Sequence, residues 1–278
     1  MTPHANTHPG AIGRWRTLPS AGRRAAVSLI VMLLAWELIA HSPRLFGFEV
    51  PYLGVLPAPS AVIGEWVMLL GDAHYWGSWY LSFTRVFAGF ISALLLGVPL
   101  GLWFAISPTM RNLFFPVFEM LRPVPPIAWV PAAIIFWPTQ ELSIISVIFL
   151  GAFYTITLNT YNGGRRVDLA IIQSARSMGA SRSNIFRRIV LPGTLPSIVA
   201  GAAIGMGITW EVVVAAELIS GGNGGGGGGL GLFMWDAYLA GNHEQILVGM
   251  LSIGLAGYFS SGLLRRFGGL LTPWLSRN

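Results

Sequence analysis

Charged side chains are scarce in this chain, and the few that interrupt its apolar stretches are the ones whose types and spacing could do chemistry. Glu119 and Arg122 lie three residues apart inside an otherwise apolar, proline-rich stretch. Glu211 and Glu217 lie inside another, behind Trp210. An ionisable group among apolar neighbours is costly unless it is paired or lines a polar path. Arg122 could attract an anion, and it could equally pair with Glu119 one helical turn away. That pairing is the reading the spacing favours, with Glu217 also expected to hold helices together. Trp129, Trp137, Trp210 and Trp235 could line such a path or anchor helices at a water boundary. Glu119, Arg122, Trp129, Trp210 and Glu211 are therefore the pathway candidates. No HExxH, GxSxG or paired-carboxylate pattern occurs, so no catalytic site is visible.

The largest polar interruption runs from Arg165 to Ser197, reading RRVDLAIIQSARSMGASRSNIFRRIVLPGTLPS. It holds Arg165, Arg166, Arg176, Arg182, Arg187 and Arg188, six of the 17 basic residues. Asp168 is placed to cap a helix over 169–178, and Gly179 stands where a left-handed residue would end it. Ser181 is placed to cap a second helix carrying Ile185 and Ile189 on one face, which Pro192 and Pro196 are expected to end. Two short basic helices between apolar segments form a docking surface.

Composition limits the rest. The 278 residues are 54% hydrophobic and 10% charged, which suits a polytopic membrane protein. Cysteine is absent, excluding disulfides, thiolate metal sites and thiol nucleophiles. All 17 basic residues are arginine, so the chain has no Walker A lysine and is not its own P-loop ATPase. His4 and His8 have helical spacing without a helix to stand on, and no metal site or cofactor is expected.

Residues 1–22 read as a disordered polar tail. An apolar run from Ala25 to Ala40 follows Arg23 and Arg24; it contains Glu37 and lacks a small-x-small cleavage site, so it reads as a retained first helix. Ala61–Leu70 reads as an amphipathic interfacial stretch. Spans are expected over 86–106, with Gly97 and Gly101 as a close-packing face, over 142–161, over 195–219 with Gly201 and Gly205, and over 246–264. The stretch 113–137 is an odd helix broken by Pro116, Pro123, Pro125, Pro126 and Pro131, tolerable at membrane depth only beside protein or a wet cavity. The run Gly221–Gly229, interrupted by Asn223, specifies nothing by itself.

Gln173-Ser174-Ala175, three residues, Gly179, nine residues, then Ile189-Val190-Leu191-Pro192 resembles the "EAA" loop of permease subunits of bacterial ABC importers. In that family the loop is the coupling helix that seats in a groove of the ATPase. The resemblance implies coupling roles for Asp168, Gln173, Ser174, Ala175, Gly179, Ala180, Ile189, Leu191 and Pro192. Gln173 and Ser174 depart from the family's usual Glu and Ala. The segment RPVPPIAWVP (122–131) and the stretch around Trp235-Asp236-Ala237-Tyr238 resemble the nitrate, sulfonate, taurine and bicarbonate branch.

The resemblance implies an all-α fold of six transmembrane helices on a type I importer (MetI-like) core: residues 23–278 as permease domain, a five-helix core over about 78–265, and the coupling loop at 165–197. It also implies a second permease subunit, in a homodimer, separate ABC ATPase subunits, and a periplasmic or lipid-anchored solute-binding protein. With the coupling loop inside, arginines 14, 16, 23, 24, 111, 165, 166, 176, 182, 187, 188, 265, 266 and 277 fall on the cytoplasmic side and only Arg44 outside. That bias follows the positive-inside rule, places both termini in the cytoplasm of a bacterial inner membrane, and accounts for the net charge of +6 without nucleic acid. Substrate follows from resemblance: a small anion, nitrate or nitrite first, with sulfonate or taurine and bicarbonate or cyanate behind. A secondary transporter is the alternative from another class; it would use the intramembrane carboxylates as ion sites and show inverted repeats, and no convincing repeat is found.

Overall fold

The computed structural model describes residues 21–42, 56–221 and 228–274, and among these the chain is helix and turn with no strand. The polar tail, Arg44, Asn223 and Arg277 lie outside the described residues. The chain divides into two units, Met1–Gly64 and Glu65–Asn278.

The first unit holds α1 (Ala21–Ala40) and the start of α2 (Pro59–Leu69). Val27, Leu29, Ile30, Val31, Met32 and Leu34 of α1 are all more than half exposed, as on a helix that meets lipid. Glu37 accepts the Ser60 backbone N–H at 3.1 Å and the Ser60 hydroxyl at 2.6 Å. A carboxylate there meets the free N–H groups and positive end of α2.

The second unit is built on four long helices: α3 (Ala73–Ile106), α6 (Gln140–Arg165), α9 (Leu191–Gly221) and α11 (His243–Leu271). Between them lie α4 (Pro108–Leu121), α5 (Val130–Phe136), α7 (Leu169–Ser177), α8 (Arg182–Ile185) and α10 (Leu230–Leu239). The expected stripes of small residues do the packing. A side chain on Gly101 would strike the Thr157 carbonyl at 2.5 Å, and one on Gly97 would meet the Thr157 hydroxyl at 3.0 Å. Gly201 meets Asn159, and Gly205 faces Ile156 and Ala152. Backbones thus approach along α3, α6 and α9, where apolar burial alone would not distinguish helix from lipid.

Among the described residues, four helices are long and apolar enough to cross a membrane: Ala73–Ile106, Gln140–Arg165, Arg182–Leu218 and His243–Leu271. The other two expected spans are not of this kind. The 20 residues of α1 carry Arg23, Arg24 and Glu37. The stretch expected as one broken helix over 113–137 is instead α4, a 3-10 turn over Pro126–Trp129, and α5. Its prolines divide their effects: Pro116 is inside α4, while Pro123 and Pro125 lie between the helical pieces.

Two further expectations are corrected. The second long helix begins at Ala73 rather than Val86, because the polar groups at its start are satisfied within the fold: Tyr75 Oη meets Ser252 Oγ at 2.7 Å. Pro192 and Pro196 do not end a helix. A π turn over Phe186–Val190 leads directly into α9, so that helical backbone runs on through Pro192, where the turn hands over to the α-helix, and through Pro196 inside it.

Candidate coupling surface and translocation cleft

The docking loop forms as its local chemistry dictates. Asp168 Oδ1 accepts the Ala170 N–H at 2.8 Å, starting α7. Its end is a Schellman motif: the Ala180 N–H reaches the Ala175 carbonyl at 3.0 Å, and the Gly179 N–H reaches that of Arg176 at 2.9 Å. Gly179 has φ of +80°, the left-handed value the sequence called for. Ser181 Oγ then accepts the Asn184 N–H at 3.3 Å, starting α8.

The two helices share a small core of their own. Ala175, Ile185 and Val190 are buried together, with Ile172, Ala180, Phe186 and Ile189 packed against them. What remains outside is apolar and basic. Leu169, Ile171 and Met178 are 68%, 53% and 81% exposed, and Gln173, Ser174 and all six arginines are exposed around them. Leu191 and Pro192 are half-buried at the junction with α9. A protruding apolar ridge rimmed by cations fits an apolar groove with an acidic border.

The pathway candidates separate. Glu119 and Arg122 are both exposed and form no ion pair with each other; the ion pairs among the described residues are Glu37 with His41 and Arg85 with Glu141 and Glu217. Arg122 stands at the end of α4, where the chain turns away at Pro123, and it lines a cleft of about 450 Å³ instead. Tyr154, Thr155, Asn159 and Ile208 line the same cleft. Half-buried Trp129 lines a second cleft of about 460 Å³ with Phe136, Trp137 and Phe149, and Leu150 belongs to both. Glu211, read as buried, is exposed one turn along α9 from Ile208. Trp210 departs from the pathway reading. It is 2% exposed, donates its indole N–H to Ser260 Oγ at 3.1 Å and packs against Trp79 and Phe83. It joins helices.

The most heavily bonded polar group was not foreseen as a cluster. Arg85 is 2% exposed and bridges α3 to two carboxylates. Its Nη1 donates to Glu217 at 2.9 Å, and its Nε and Nη2 donate to both oxygens of Glu141. Glu217 also accepts from the Ser82 hydroxyl at 2.8 Å and from the Gly231 N–H at 2.9 Å, while Arg85 donates to the Gly228 carbonyl. The network joins α3, α6, α9 and the start of α10 at the end of the bundle away from the docking loop. Glu217 plays the pairing role expected of it. Its partner is 132 residues away, a separation no local pattern reports. The available signal was a lone arginine in one apolar helix and a glutamate in another.

Comparison with known proteins agrees with this architecture. Residues 97–277 match the family described as "Binding-protein-dependent transport system inner membrane component". The chain is 34% identical over 254 residues to the taurine transport system permease protein TauC of Escherichia coli, covering 89% of this chain and 88% of that one. It is 30% identical over 258 residues to the nitrate import permease protein NrtB of Leptolyngbya laminosa, covering 90% and 85%. It is 34% identical over 197 residues to the bicarbonate transport system permease protein CmpB of Synechococcus elongatus, covering 71% and 68%. In fold it is similar to a chain of the inward-facing MetNI methionine ABC transporter, with a TM-score of 0.55 at 17% identity over 68% of this chain and 94% of that one. The chain therefore belongs to the binding-protein-dependent transport inner-membrane family, as a multi-pass ABC-importer permease of the branch that holds the taurine, nitrate and bicarbonate permeases.

Proposed function

We propose that this chain is the membrane subunit of an ATP-driven importer for a small oxyanion or sulfonate, working as a pair of copies. Residues 23–278 form the permease domain, with the five-helix core over about 78–265 and residues 1–22 as a cytoplasmic tail. Separate ATPase subunits bind the surface at 165–197, and a solute-binding protein delivers substrate at the opposite end. The chain itself does not hydrolyse ATP. The exposed aromatic residues Trp76, Tyr80, Trp235 and Tyr238 suit a membrane–water boundary.

Orientation has a direct test in a chain with no cysteine. A cysteine at Ser183 is expected to be shielded from an impermeant thiol reagent in intact cells, and one at Ala73 to react. The reverse pattern would invert the assignment of both termini.

The observation that carries the anion reading is Arg122. It lines a cleft beside Tyr154, Thr155 and Asn159 with no carboxylate paired to it among the described residues. In a low-dielectric path an unneutralised guanidinium favours anions by a few kcal/mol. Nitrate is the first substrate to test; taurine-like sulfonates and bicarbonate are the others that the relatives' names suggest. Replacing the exposed Arg122 with glutamine is expected to leave insertion intact and to lower anion uptake by about tenfold or more, equivalent to about 1.4 kcal/mol. Unchanged uptake would remove Arg122 from the path. Growth on nitrate that survives deletion of the chain, with growth on taurine lost, would move the substrate to the sulfonates.

A further inference from the structure

The two clefts are halves of one groove. One wall is α6, where Ser146, Leu150, Tyr154 and Leu158 recur every fourth residue on a single helix face, with Leu150 shared by both halves. The other wall is the proline-broken stretch opposite it, from Arg122 and Val124 in one half to Trp129, Phe136 and Trp137 in the other. Helix α6 ends at Arg165, where the docking loop begins, so the Arg122 half lies nearer that loop. The Trp129 half lies about 9 Å farther from it along the helix, roughly six residues at about 1.5 Å each.

The halves differ in chemistry. Around Arg122 stand the Tyr154 phenol, the Thr155 hydroxyl and the Asn159 amide, groups that suit a charged, hydrogen-bonding headgroup. Around Trp129 no side chain is charged. The hydroxyl there, on Ser146, already donates to the Ser143 carbonyl of its own helix at 2.8 Å. What remains is the surface of Trp129, Phe136, Trp137 and Phe149 around a space of about 460 Å³. A bare ion gains nothing from that surface. An alkyl or aryl group does, because it leaves water there.

We propose that the Trp129 half holds an apolar group carried by the same anion whose charge Arg122 meets, so that the groove binds an organic anion with a short alkyl or aryl group more tightly than the bare headgroup. Trp129 and Phe149 are then the residues that set specificity for that group. Each methylene buried against them is expected to tighten binding by about threefold to fourfold. This rests on the reading of Arg122 as the anion's contact in the path.

The absence of cysteine allows a test that does not require the transported anion itself. Single cysteines replace half-buried Ser146 in the aromatic half and half-buried Thr155 in the Arg122 half, in open membrane fragments holding the whole complex. Labelling by a small water-soluble thiol reagent is followed with methanesulfonate or hexanesulfonate present, two probes with one headgroup. Both are expected to slow labelling of Thr155→Cys, hexanesulfonate at a concentration at least about tenfold lower. Only hexanesulfonate is expected to slow labelling of Ser146→Cys. Adding Arg122→Gln is expected to abolish protection at both positions. Equal potency of the two probes, or Ser146→Cys untouched by hexanesulfonate while Thr155→Cys is protected, overturns the proposal and leaves the role of Arg122 standing. Protection of Ser146→Cys that persists in Arg122→Gln overturns it too, as does a Ser146→Cys that never labels because lipid or another chain fills that half. A Thr155→Cys that never labels, or that neither probe slows, overturns the Arg122 reading beneath it.

Discussion

Replacing Arg85 with alanine is expected to destabilise the protein by about 3–5 kcal/mol, because it strands a carboxylate in the middle of the packed unit. Glu217 is 1% exposed, and Arg85 is its counter-charge. Ser82 Oγ and the Gly231 N–H would still donate to it, but neither cancels its charge. Gly229, with φ of +129°, packs directly on that carboxylate, so the segment entering α10 would lose its post as well. The two arms should differ sharply. Glu141 has a side chain 52% exposed, so Glu141→Gln is expected to cost only about 1 kcal/mol. Glu217→Gln combined with Arg85→Ala should recover part of the loss, since an amide needs no counter-charge. Thermal unfolding of the purified complex in detergent checks the series. Equal melting temperatures for Arg85→Ala and the parent would show that the network contributes nothing.

Gly179→Val is expected to uncouple the permease without removing it from the membrane. The left-handed φ of +80° costs a β-branched residue about 1–2 kcal/mol of backbone strain. A side chain there would meet nothing within 4 Å, so the effect is conformational and not a clash. Straining Gly179 undoes the two bonds that close α7 and releases α8 from its angle. Uptake is expected to fall by about tenfold with normal protein levels. Gly179→Asn, which tolerates the left-handed region, should retain most of it. Normal ATPase co-purification together with normal uptake in Gly179→Val would contradict the coupling role of the turn.

The docking loop was the most legible part of the sequence because everything that builds it is local. Asp168, Gly179 and Ser181 each act within a few residues, and each took the expected geometry. The glycine stripes were legible for a similar reason, since spacing on one helix fixes which residues share a face. What failed was long-range or backbone-dependent. Arg85 and Glu217 lie too far apart in sequence to announce each other. Glu119 and Arg122 keep helical spacing, yet they form no ion pair and Arg122 lines the cleft. Pro192 and Pro196 read as breakers, but helical backbone runs on through both, with a π turn over Phe186–Val190 just ahead of Pro192. Hydropathy also began the α3 span too late, because it counts Tyr75 and Arg85 as polar without seeing that their bonds are made inside the protein.

On the proposed function, movement across the membrane is driven by an ATPase held at residues 165–197. Uptake into liposomes tests it most directly, with the purified chain, its ATPase subunits and its binding protein, and labelled nitrate or taurine. Uptake is expected only when ATP, ATPase and this chain are all present, and it should vanish when ATP is replaced by a non-hydrolysable analogue. Uptake driven by an ion gradient through this chain alone, with no ATPase added, would contradict the claim and identify a secondary transporter.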